Sequence, residues 1–137
     1  MRRAPQVQRP SWRVVVREPL QPALDSVRVG MARAGYRLVS LPGEAPLVFR
    51  RGSVASYALL GAHLARYSVV RTLATEDEPG TVELTFLQDR AQHPGEAADT
   101  LEAAVASLVA LWAARGVLTR AYQQEDRPRT GREEASR

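Results

Sequence analysis

Residues 67–88 read YSVVRTLATEDEPGTVELTFLQ. The second arm alternates: Val82, Leu84 and Phe86 fall on one side, Glu83, Thr85 and Leu87 on the other. That alternation, with a second β-prone run before a Glu76–Gly80 turn, predicts a β-hairpin, with strands over 67–75 and 81–88. An antiparallel sheet with one buried face follows, and the neighbouring segments are read against it. The first arm resists phasing, because alternation puts Arg71 on the same side as Val69 and Leu73.

Upstream, Trp12–Arg17 alternates Trp12, Val14 and Val16 with Arg13, Val15 and Arg17, and predicts the first strand. Pro19 and Pro22 end it and open a helix to about Ala34, with Leu24, Val27, Met31 and Ala34 as its buried stripe. Gly35 stands where a left-handed stop residue is wanted. Strands follow over Tyr36–Leu41 and Leu47–Arg51 around a 42–46 turn. Residues 53–66 fit either a short helix or a strand; their Ala and Leu content favours the helix. Downstream, Leu101, Val105, Leu108 and Trp112 stripe a helix from about Ala97 to Arg115, with an Asp99/Glu102 capping pattern and Gly116 as its stop.

The expectation is a single α+β domain of β-α-β4-α order. Its curved antiparallel sheet packs on a long C-terminal helix. Residues 1–11 read as a flexible basic arm, 12–120 as the domain and 121–137 as a disordered polar tail. This order resembles the helix-grip topology of TATA-binding-protein repeats and of the larger Bet v 1-like lipid-binding domains. The resemblance is topological and covers residues 12–116. It implies a cavity between sheet and long helix, lined by Trp12, Tyr36, Phe49, Phe86, Leu108 and Trp112.

Composition narrows the chemistry. A chain of 137 residues allows one domain. It has no Cys, which removes disulfides, thiol chemistry and thiolate zinc sites. Neither His63 nor His93 has a His or Cys partner at helical spacing, so no metal site is expected. No nucleophile motif, Gly-rich phosphate loop or cofactor motif occurs, and no enzyme is expected. Lys, Asn and Ile are all absent, the mark of a GC-rich, bacterial coding sequence. The longest apolar run, Ala103–Ala114, is too short to span a bilayer, and the N-terminus lacks a secretory h-region; a cytoplasmic protein without a membrane role is expected.

The net charge is +4 with 19 basic residues, all Arg. Residues 1–20 carry +4, residues 21–119 carry −1 and residues 120–137 carry +1, so along the chain the excess sits in the arm. The aromatics phase to the core side, which argues against single-strand nucleic-acid binding by stacking. DNA binding through the arm is a minor alternative, as is an enzyme of the polyketide-cyclase type.

The outer sheet face carries Arg13, Val15, Arg17, Arg37, Val39 and Arg50. Two readings fit. One is a solvated sheet with Arg stems over apolar surface; the other is a protein interface, where Arg is enriched. The preferred function is a non-enzymatic interaction module self-associating, as a homodimer, through this face. The alternative is a helix-grip carrier of a small apolar ligand. A local anion site is a further candidate: Arg50 and Arg51 beside Ser53 as the cap of a following helix.

Overall fold

In the computed structural model, residues 11–40, 46–52, 67–91 and 93–124 are described. Their order is β1 (Ser11–Val16), α1 (Leu20–Arg33), β2 (Arg37–Leu38), β3 (Leu47–Arg51), β4 (Ser68–Glu78), β5 (Thr81–Ala91), α2 (Pro94–Ala114) and β6 (Leu118–Gln124). The six strands form one antiparallel sheet in the order β2-β3-β4-β5-β1-β6. The expected α+β class stands. The first strand pairs with the last one before α2, as Trp12 opposite Phe86 and Val14 opposite Leu84.

Both helices lie on one face of the sheet. Val14, Val16, Phe49, Val70, Val82, Leu84 and Phe86 from the strands meet Val27 and Met31 of α1 and Leu101, Val105, Leu108 and Trp112 of α2 in one buried cluster. The 3.6-residue spacing of the helical set and the two-residue spacing of the strand set make these the buried faces. α2 has the length and apolarity of a membrane-crossing helix, yet its Leu101–Trp112 stripe is spent on the sheet. At Gly30 the helices come close: a Cβ there would stand 2.5 Å from Leu108 Cδ2. Gly35, at φ +95, ends α1 in the left-handed region as expected, and Gly116, at φ +75, ends α2.

A polar clamp fixes the C-terminal end of α2. Trp112 Nε1 donates to Glu18 Oε1 at 3.1 Å, and Arg115 Nη1 donates to Ser26 Oγ at 3.1 Å while standing 4.0 Å from Glu18 Oε2. Arg17 donates its backbone N–H to Val117 O and its guanidinium to Gly116 O. The start of α1 and the exit of α2 are thereby tied to the end of β1.

Four expectations need correction. The capping pattern at Asp99 and Glu102 does not start α2; the helix begins at Pro94, whose missing N–H suits the first turn, and Asp99 lies inside it. The second strand is only Arg37–Leu38, prolonged by one bond from Val39 N to Val48 O. The hairpin arms run further than predicted, so Glu76–Glu78 belong to β4 and only Pro79–Gly80 turn. Residues 121–124, placed in the tail from sequence, are strand: β6 pairs along β1 from Val16 to Ser11. The expected arm over 1–10, the remaining tail over 125–137, and the alternative readings of 53–66 with Ser53 and His63 lie outside the described residues.

Candidate interaction surface

The second face of the sheet has no helix against it among the described residues. Pairing register identifies what it displays. Directly opposed residues point the same way, so Arg37, Arg50, Val69 and Arg90 form one row across β2, β3, β4 and β5. A second row carries Val39, Val48, Arg71, Leu87 and Ser11. A third carries Leu73, Thr85, Arg13 and Tyr122, and a fourth Thr75, Glu83, Val15 and Arg120. Each of the six strands therefore contributes one arginine: Arg13, Arg37, Arg50, Arg71, Arg90 and Arg120.

Against these six stand Glu83, Asp89 and, opposite Thr81, Glu78, a net +3 among the described residues of this face. Glu83 Oε2 lies 3.9 Å from Arg13 Nη1, and Asp89 Oδ2 lies 3.6 Å from Arg71 Nε. Arg120 stacks over the Tyr122 ring at 5.6 Å. Arg37, Arg50 and Arg90 have no ion pair among the described residues. The acids gather at the far end of the β4–β5 hairpin, where Glu76, Asp77 and Glu78 are all exposed. Charge that nearly cancels along the sequence is segregated in space.

The face is also partly apolar. Val39 is 43% exposed, Leu73 44% and Tyr122 38%, three of the four exposed large hydrophobic residues described. Tyr122 was missed from sequence because all of β6 beyond Leu118 is exposed, which erases the apolar alternation that marks a strand. Leu73 and Arg71 were missed because Val69, on the same face, is buried while they are exposed, so burial does not alternate at the start of β4. The ladder slips between Val69 and Val70, where Asp89 is the extra residue on β5. Gln88, buried, holds the bulge by donating Nε2 to Val69 O and Arg90 O, each at 3.0 Å.

Of the interface residues expected from sequence, the open face brings together Arg13, Val15, Arg37, Val39 and Arg50. Arg17 is not with them; it lies past the end of β1, bound to Gly116 O. The candidate anion site comes apart. Arg50 and Arg51 are successive strand residues and point to opposite faces. Arg50 joins the open face, while Arg51 Nε donates to Ala34 O at 3.4 Å on the other. The expected apolar pocket is filled by its own lining: Tyr36, Phe49, Phe86, Leu108 and Trp112 are all buried in the core cluster, with Trp12 packed at its margin.

Described residues line two clefts on the helix side. One, lined by Arg51, Tyr67, Ser68, His93, Glu96 and Thr100, holds about 10 Å³, room for one water. Beside it the buried Tyr36 hydroxyl lies near Ser68 and Arg51 but completes no hydrogen bond of good geometry. Burial raises the Tyr36 pKa above 10.0, with the Arg51 charge and the Ser68 hydroxyl opposing. The other cleft is a groove of about 610 Å³ between α1 and α2. No protein-family model, curated protein or solved structure matches this chain.

Proposed function

We propose that this chain is a non-enzymatic interaction module whose open sheet face associates with a second copy. The observation that carries the reading is the arrangement of layers. Two helices cover one face of a six-stranded sheet, and the other keeps Val39, Leu73 and Tyr122 exposed among arginines. Exposed aliphatic and aromatic side chains interleaved with Arg are the composition of an interface. At strand spacing, a face six strands wide and six residues tall measures roughly 24 by 20 Å, about 500 Å² per copy. Two copies bury on the order of 1,000 Å², the lower bound for a specific interface.

Sedimentation equilibrium of the full chain tests this. The expected mass is twice 15.1 kDa, returning to one chain in Leu73→Arg. A two-chain mass that Leu73→Arg leaves intact would place the contact elsewhere.

In topology we read the chain as a small helix-grip domain, with β6 added at the sheet edge. That reading supports a second function, the carrier of a small apolar ligand. The groove between α1 and α2, lined by Val29, Ala104, Leu108, Ala110 and Leu111, favours it, because its volume suits a small molecule. An environment-sensitive apolar dye should then bind the wild type and lose affinity in Ser107→Trp, which fills the groove; equal binding by both would remove the carrier reading.

A further inference from the structure

We infer that two copies stack their open faces about a two-fold axis running across the strands, so that the acidic hairpin tip of each covers the basic row of the other. This rests on the proposed self-association and fixes its geometry.

The difficulty with stacking two such faces is charge, since the described residues of each bring a net +3 to the other. The chain carries its own complement at a fixed place. Arg37, Arg50 and Arg90 lie in the row through Val69, near the start of β4. Glu76, Asp77 and Glu78 lie at its other end. About eight residues of strand, roughly 27 Å, separate the two groups. They cannot meet within one molecule.

Two isologous arrangements bring open faces together with β4 over β4. With the axis along the strands, tip faces tip and arginine row faces arginine row. With the axis across the strands, the partner's β4 runs the opposite way. A register that sets Val69 opposite the partner's Asp77 places each basic row under an acidic tip. The same register sets Leu73 opposite the partner's Leu73, on the axis. Leu73 is the most exposed aliphatic residue on the sheet, at 44%, and it has the apolar contact that a dimer centre requires. The position of charge at both ends and of the apolar residue midway is satisfied by one register. Like-charge opposition rejects the other arrangement.

Charge exchange in the full chain tests the geometry. Arg37→Glu with Arg50→Glu should weaken dimerisation at least about tenfold, and so should Asp77→Arg with Glu78→Arg. Mixing the two variants should restore association as a heterodimer, because the acidic row of one then meets the basic tip of the other and the native row and tip meet at the opposite end. Combining all four substitutions in one chain should restore the homodimer, because both ends then pair again. Far-ultraviolet circular dichroism and the thermal midpoint report folding of each variant. Loss in both doubles with restoration in the quadruple supports the inference. A wild-type dimer insensitive to either double overturns this geometry and leaves self-association standing. A wild-type chain that stays single overturns both. Loss in both doubles without restoration, all variants being folded, overturns the pairing of row and tip. Salt-sensitive binding of a single-stranded oligonucleotide by a single-chain wild type, lost in Arg37→Glu with Arg50→Glu, would assign the row to phosphates instead.

Discussion

On its helix-covered face the sheet presents Val14, Val16, Phe49, Val82, Leu84 and Phe86, each 1% exposed or less. On its open face the same strands present one arginine apiece. Neighbouring residues of one strand thus serve different ends, and β3 is the sharpest case. Phe49 is core, Arg50 joins the row without ion pairs among the described residues, and Arg51 turns back to the Ala34 carbonyl just past α1. The difference teaches that this chain's stability and its associations are set by alternate residues of the same strands. Substitutions should separate the two accordingly.

The largest expected effect is on the covered face. Trp112→Ala should cost roughly 3–5 kcal/mol by equilibrium urea unfolding, since it empties the core and strips Glu18 of its indole donor. The opening at Gly30 should matter next. Gly30→Val should cost about 1–3 kcal/mol, because the buried Leu108 side chain must shift to admit the new one.

Tyr36→Phe should leave stability at neutral pH nearly unchanged, because the hydroxyl it removes has no well-formed bond to lose. Its signature is in alkali. The folded-state pKa is raised above 10.0, so above that pH the folded chain holds a proton that the unfolded chain has released. The stability is complete below pH about 10 and declines as pH rises through the folded value. Tyr36→Phe should flatten that decline in thermal melts taken from pH 8 to 11.

The smallest effect on folding belongs to the open face. Leu73→Ser and Tyr122→Ser, measured on dilute chains, should each stay within about 0.5 kcal/mol of the wild type, while both weaken association. A folding cost like that of Trp112→Ala at either position would erase the distinction between the faces.

How far this was legible in sequence follows the same division. Alternation in β1 and β5 located the core residues, because each strand there is buried on one side. It failed at the start of β4, where Ser68, Val69 and Val70 are all buried and the two faces look alike, and in β6, where both sides are exposed. It also scattered the interface: Arg37, Arg50 and Arg90 are far apart along the chain, and only the ladder register sets them in one row. The neutral balance over residues 21–119 concealed the same segregation. The anion site failed for a simpler reason, since adjacent strand residues cannot share a face.

The central claim is that association covers the arginines of the open face and not those of the helices. Arginine-selective dicarbonyl labelling, read by mass spectrometry on the full chain at low and high concentration, tests it directly. Arg37, Arg50 and Arg90 should lose reactivity as concentration rises, while Arg28 and Arg33 on α1 stay unchanged. Protection of Arg28 and Arg33 with the sheet arginines still reactive would contradict it.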